Sequence, residues 1–216
     1  MTRTTKTKIS IKLRVLGVLV AALAVASLYV VFPLLTMQTA AAVQGTRPVS
    51  AKPGYTSDGA LIRPEGYREW IYVGTPLTPN DLNPPEAPFP DFHNVYIHPS
   101  DYDHWKATGE FRDGTVIIKE LVGVGSKKAT SGKGYFMGEY IGLEALVKDS
   151  KRFKDDPGYW AFFSFGHQYP LAASTQKRPL AECSACHQAN GADDYVFTQY
   201  YPVLRAAKPS KTSSKN

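Results

Sequence analysis

Cysteine is almost absent from this chain: its 216 residues hold two, Cys183 and Cys186. No other thiol is there to complete a cysteine-rich zinc site, and no βαβ pattern surrounds the pair as a thioredoxin-like dithiol would require. Surplus charge is scarce as well. Lys and Arg number 25 against 19 Asp and Glu, but five of the basic residues lie in the first 14 positions, and the chain after residue 42 carries 20 against 19. The high isoelectric point therefore belongs to the N-terminus, and no basic face argues for a nucleic-acid partner. Internal repeats are also lacking. The roughly 174 residues after position 42 suffice for one domain with a real core.

What the two cysteines do belong to is Cys183-Ser184-Ala185-Cys186-His187, inside "LAECSACHQANG". This is the spacing that attaches a c-type haem. Two thiols one helical turn apart can add to the two vinyl groups of one porphyrin, and the adjacent imidazole of His187 is then placed to ligate the iron.

The N-terminus reads as an export signal. "MTRTTKTKISIKLR" is basic, "VLGVLVAALAVASLYVVFPLL" follows without a charge, and Ala40-x-Ala42 offers a cleavage site before Val43. The apolar run is also long enough to span a bilayer as a retained anchor. Either way the expectation is a periplasmic domain, the compartment where bacterial c-type haem is attached. Residues 43–63 are polar and broken by Gly and Pro, and the tail 209–216 is basic and poor in apolar residues; both are expected to be mobile.

Between them the fold class reads as α+β, mainly antiparallel sheet with a few helices. Strands are expected at 69–74, 94–98, 115–124, 135–147 and 159–165, rich in β-branched and aromatic residues. Ser100 is expected to cap a helix running from Asp101 to Gly109. Residues 76–92 hold six prolines and must be an extended loop. The stretch 193–207 carries an apolar stripe and reads as a terminal helix, kinked or restarted at Pro202.

Two strands carry unusual residues. In the third, Lys119 shares a face with Ile117 and Leu121, and Glu120 shares the other with Val116, Ile118, Val122 and Val124; the usual account is an edge strand with a solvated lysine. In the fourth, strict alternation puts Phe136, Gly138, Tyr140, Gly142, Glu144 and Leu146 on one side. Glycines inside a strand mark either a close approach, as by a haem plane, or bulges and a tight bend.

With these residues assembled, "GYREWIYVGTPLTPNDLN", "HWKATGEFRDGTVIIKELVGVG", "GYFMGEYIGLEALVKDS", "AECSACHQAN" and "FTQYYPVLRAAK" closely resemble the cytochrome P-460 family over about residues 64–208. The resemblance implies a mono-haem c-type enzyme that oxidises hydroxylamine to nitrous oxide by way of an iron nitrosyl, and hands electrons to a soluble c-type cytochrome. It implies that Lys119 is bonded through its side-chain nitrogen to a meso carbon of the porphyrin, and that Glu144 is a distal proton acceptor. By the same resemblance Cys183 and Cys186 are the thioether cysteines and His187 the proximal ligand, and the protein is a homodimer. The related cytochromes c′-beta keep the β fold but lack the cross-link, so having both Lys119 and Glu144 aligns this chain with the enzymes.

Two non-enzymatic readings compete. In an electron-transfer cytochrome, Met137, His93, His98, His104 or His167 would fill the sixth position. In a nitric oxide binding protein like the c′-beta relatives, the gas would bind without turnover.

Overall fold

A computed structural model describes residues 52–210; the expected signal or anchor, residues 1–42, lies outside them. A first short strand, β1 (Leu61–Ile62), is followed by β2 (Ile71–Gly74), β3 (Phe92–Ile97), helix α1 (Pro99–Thr108), β4 (Val116–Ala129) and β5 (Gly132–Lys148). Then come β6 (Trp160–Ser164), β7 (Ser174–Thr175), α2 (Leu180–Asn190) and α3 (Pro202–Ala207). The main sheet runs β2-β3-β4-β5-β6, antiparallel at every junction, and β1 pairs with β7 in a two-stranded ribbon.

Both faces of this sheet are buried, which explains why β4 is apolar on both sides. Ile118, Leu143, Ala145 and Phe163 pack on one face with Trp70, Phe153 and Leu61. Ile117, Val95, Leu146 and Trp160 pack on the other with Trp105, Phe111 and Leu204. Trp105 anchors the second core, stacked on Phe111 with ring centroids 4.5 Å apart while its Nε1 donates to the Leu204 carbonyl at 2.8 Å.

Several expectations are corrected. Lys119 sits on the central strand of the sheet, not on an edge. Helix α1 begins at Pro99, whose missing N–H costs nothing in the first turn; His98 is its cap, with Nδ1 accepting from the Ser100 amide, so Ser100 lies inside the helix. Residues 193–197 are not helical. Asp194 and Tyr195 adopt positive φ, and the helix starts only at Pro202. The lead-in expected to be mobile is, over its described part, fastened: Leu61 is fully buried and Lys52 Nζ lies 2.6 Å from the buried Asp101.

The alternation in β5 also breaks. Leu121 pairs with Gly142 but Val122 with Tyr140, so Ile141 is a bulge residue and Tyr140 falls on the face opposite Gly142 and Glu144. The strand glycines serve the protein's own backbone rather than a cofactor. A Cβ on Gly138 would meet Gly125 Cα at 2.9 Å, and one on Gly142 would meet the Gly166 carbonyl oxygen at 2.9 Å and His167 Cα at 3.2 Å.

Candidate functional site

Lys119 and Glu144 are direct cross-strand partners on β4 and β5, so the pairing of the two central strands alone brings them together. Lys119 Nζ lies 2.5 Å from Glu144 Oε2 and 4.7 Å from the centroid of the Phe89 ring, which the proline-rich loop supplies. The other carboxylate oxygen, Oε1, is 2.9 Å from His167 Nε2. Burial works to raise the pKa of Glu144, but the neighbouring Lys119 cation, aided by His167, outweighs it and holds the carboxyl below the ordinary glutamate range. The group is therefore an ionised, part-buried carboxylate at neutral pH, with one oxygen on Lys119 and the other on His167.

The cysteines and His187 come from α2, where positions i, i+3 and i+4 share one helix face. His187 Nδ1 lies 2.7 Å from the Tyr195 carbonyl oxygen. As donor to that carbonyl it keeps its hydrogen on Nδ1 and leaves the Nε2 lone pair for a metal. The positive-φ turn at 194–195, which replaces the expected helix, is what carries this carbonyl into place. The imidazole is wedged between Phe162 and Phe197, at centroid distances of 4.6 and 4.4 Å. Burial lowers its pKa, against the pull of the Tyr195 carbonyl, so the ring stays neutral, the form that ligates iron.

All five residues line one cavity of about 660 Å³, walled by Val95, Ile117, Leu146, Phe162 and Phe197. Its size and apolar walls suit a flat hydrophobic cofactor. Both cysteines are free thiols, and Cys183, part-buried, has its pKa raised by that burial. Among the described residues no group of three or more His, Cys, Asp or Glu is placed to hold a metal ion alone, so a zinc site would lack ligands. The donor set fits haem: two thiols, one neutral imidazole oriented from behind, and an apolar chamber.

Of the other candidate iron ligands, His93 and His167 line the cavity, whereas Met137, His98 and His104 do not. Met137 is 49 % exposed on the bulged half of the β4–β5 hairpin, and His98 is engaged with Ser100. His93 is a half-buried, neutral ring: desolvation first, then the Lys119 charge, pushes its pKa down to about 4.

Two features escape the sequence. Glu120, next to Lys119 but on the opposite sheet face, is fully buried and takes hydrogen bonds from Tyr67 and Arg68. His167 reaches Glu144 because Gly142 lets residues 166 and 167 lie against β5; a lone glycine in a strand hints at such a crossing without naming the partner.

Comparison with known families matches residues 64–198 to the cytochrome P-460 family model. A search of curated proteins returns no match.

Proposed function

Since the chain belongs to the cytochrome P-460 family, we propose that this haem protein is a mono-haem c-type oxidoreductase that oxidises hydroxylamine in the periplasm and passes the electrons to a soluble c-type cytochrome. The observation that carries the reading is the pairing of Lys119 with Glu144 in the same cavity as Cys183, Cys186 and His187. An electron carrier has no use for an ionised carboxylate in its chamber, whereas oxidation of an N–H compound must dispose of protons along with electrons.

When bound, the haem supplies an iron centre that accepts electrons from a coordinated nitrogen compound. The chain's own residues do the rest. Cys183 and Cys186 would hold the porphyrin to α2, and His187, oriented by the Tyr195 carbonyl, would ligate the iron. Glu144 takes the substrate's protons at its carboxylate. Lys119, already against Glu144 and Phe89, would hold the ring edge through its side-chain nitrogen. Phe162 and Phe197 keep bulk water from His187. Hydroxylamine and nitric oxide are the expected small ligands, and a homodimer is the expected assembly.

Mass spectrometry of a proteolytic digest tests the cofactor assignment. One haem species should join the Cys183–His187 peptide to the peptide containing Lys119; haem on the cysteine peptide alone, with Lys119 unmodified, would refute the cross-link. Anaerobic hydroxylamine oxidation with a c-type cytochrome as acceptor tests the activity, and gas binding without turnover would instead favour the nitric oxide reading.

A further inference from the structure

His167 stands where the cavity meets solvent. Its Nε2 lies 2.9 Å from Glu144 Oε1, the oxygen that Lys119 leaves open. Its side chain is 52 % exposed, against 22 % for Glu144. A half-exposed imidazole bonded to a part-buried carboxylate is a bridge from the chamber to water, and Gly142 is the gap in β5 that allows it. We infer that His167 is the proton exit of the site, taking from Glu144 the proton that Glu144 removes from a bound N–H substrate and passing it to solvent. This rests on the proposed role of Glu144, and His167 acts through that residue rather than on the substrate.

The step balances without a further reactant. A neutral ring with hydrogen on Nδ1 presents the Nε2 lone pair to the protonated carboxyl. As the Glu144 O–H bond breaks and an Nε2–H bond forms, Nδ1 gives its proton to water; one proton leaves the chamber and no electron moves by this route. The ring is left donating from Nε2 to the ionised carboxylate, as at rest, and exchange through water of that proton for one on Nδ1 readies it for the next transfer. The charged and titratable groups around this bridge are Lys119 on β4, His93 on β3 and Asp91 just before it, whose carboxyl is raised by burial against the pull of Lys119. Among these groups it is Glu144 that hydrogen-bonds His167.

The test uses hydrogen cyanide, a neutral acid that binds ferric haem as its anion and so sheds a proton inside the chamber. Ferric holoprotein is mixed with it in weak buffer, following the haem spectrum and a pH-indicator dye. His167→Ala and His167→Gln should both slow proton appearance about tenfold or more relative to wild type, with unchanged haem content and melting temperature. Rising concentrations of a bulky buffer base such as MES should restore His167→Ala and leave wild type unaffected. Glutamine keeps a hydrogen bond to Glu144 but cannot relay, so wild-type rates in His167→Gln would overturn the proposal, as would wild-type rates in His167→Ala or a slow His167→Ala that ignores buffer. Cyanide binding needs no oxidation. A wild type that releases this proton through His167 but leaves hydroxylamine untouched would refute the proposed substrate and keep the exit; hydroxylamine turnover with release independent of His167 would refute the exit alone.

Discussion

Glu144 stays ionised against its burial because a lysine nitrogen faces one of its oxygens and an imidazole the other. The larger of these influences, Lys119, is also the residue proposed to bond the porphyrin. A nitrogen attached to the ring edge is a weaker base than a free lysine amine, so that bond would remove the cation and the Glu144 pKa would rise. In Lys119→Arg the cation is permanent and cannot be bonded. The carboxyl midpoint of mature wild type should therefore lie above that of Lys119→Arg, and turnover should fall as the pH drops through it. Infrared titration, with Glu144→Gln identifying the band, reads this directly; equal midpoints would mean that Lys119 keeps its charge. Glu120 makes a contrasting prediction one residue away. It is buried on the other face, with Tyr67 and Arg68 as partners, so Glu120→Ala should cost about 2 to 3 kcal/mol by stranding them. Thermal unfolding should show the loss while the haem spectrum stays as in wild type.

At the scale of elements, β5 decides the shape of the site. Gly142→Ala would press a methyl group on the Gly166 carbonyl, with Leu121 Cδ1 at 3.0 Å as well, and none of these neighbours is a loose side-chain end that can swing far. A loss of about 1 to 3 kcal/mol is expected, together with displacement of His167 from Glu144; an unchanged melting temperature and wild-type proton release would show that the crossing has room to spare. The strands themselves were legible because β-branched and aromatic runs bounded by turn residues suffice to mark them. The Lys119 and Glu144 pair was legible only through the family motifs, since register across β4 and β5 is a long-range property. Counting by twos along β5 failed at Ile141, where a bulge shifts the faces without leaving a mark in composition. The apolar stripe of residues 193–207 misled for a different reason: Val196, Tyr201 and Leu204 are buried, but the first belongs to a turn and the last to a helix.

Across the whole molecule, the cavity lies between a continuous sheet and the helix α2, whose cysteines make no disulfide. Trp105→Ala, in the core on the cavity side of the sheet, should cost about 3 to 5 kcal/mol and lower the melting temperature without touching a residue of the site; retention of wild-type stability would mean that the second core is not what holds α1 and α3 to the sheet. The chain has no covalent link of its own between its layers. A porphyrin bonded at Lys119 on one side and at Cys183 and Cys186 on the other would provide one, closing a loop of about 64 residues. By the chain-entropy argument for disulfides, such a loop restricts the unfolded ensemble by about 4 kcal/mol. The cofactor would then act as a staple, and a protein with two cysteines would be braced in the manner of a disulfide-bonded one. Lys119→Leu, still carrying haem on α2, should melt well below wild type although it removes only a part-exposed side chain, and its unfolded state should be measurably less compact.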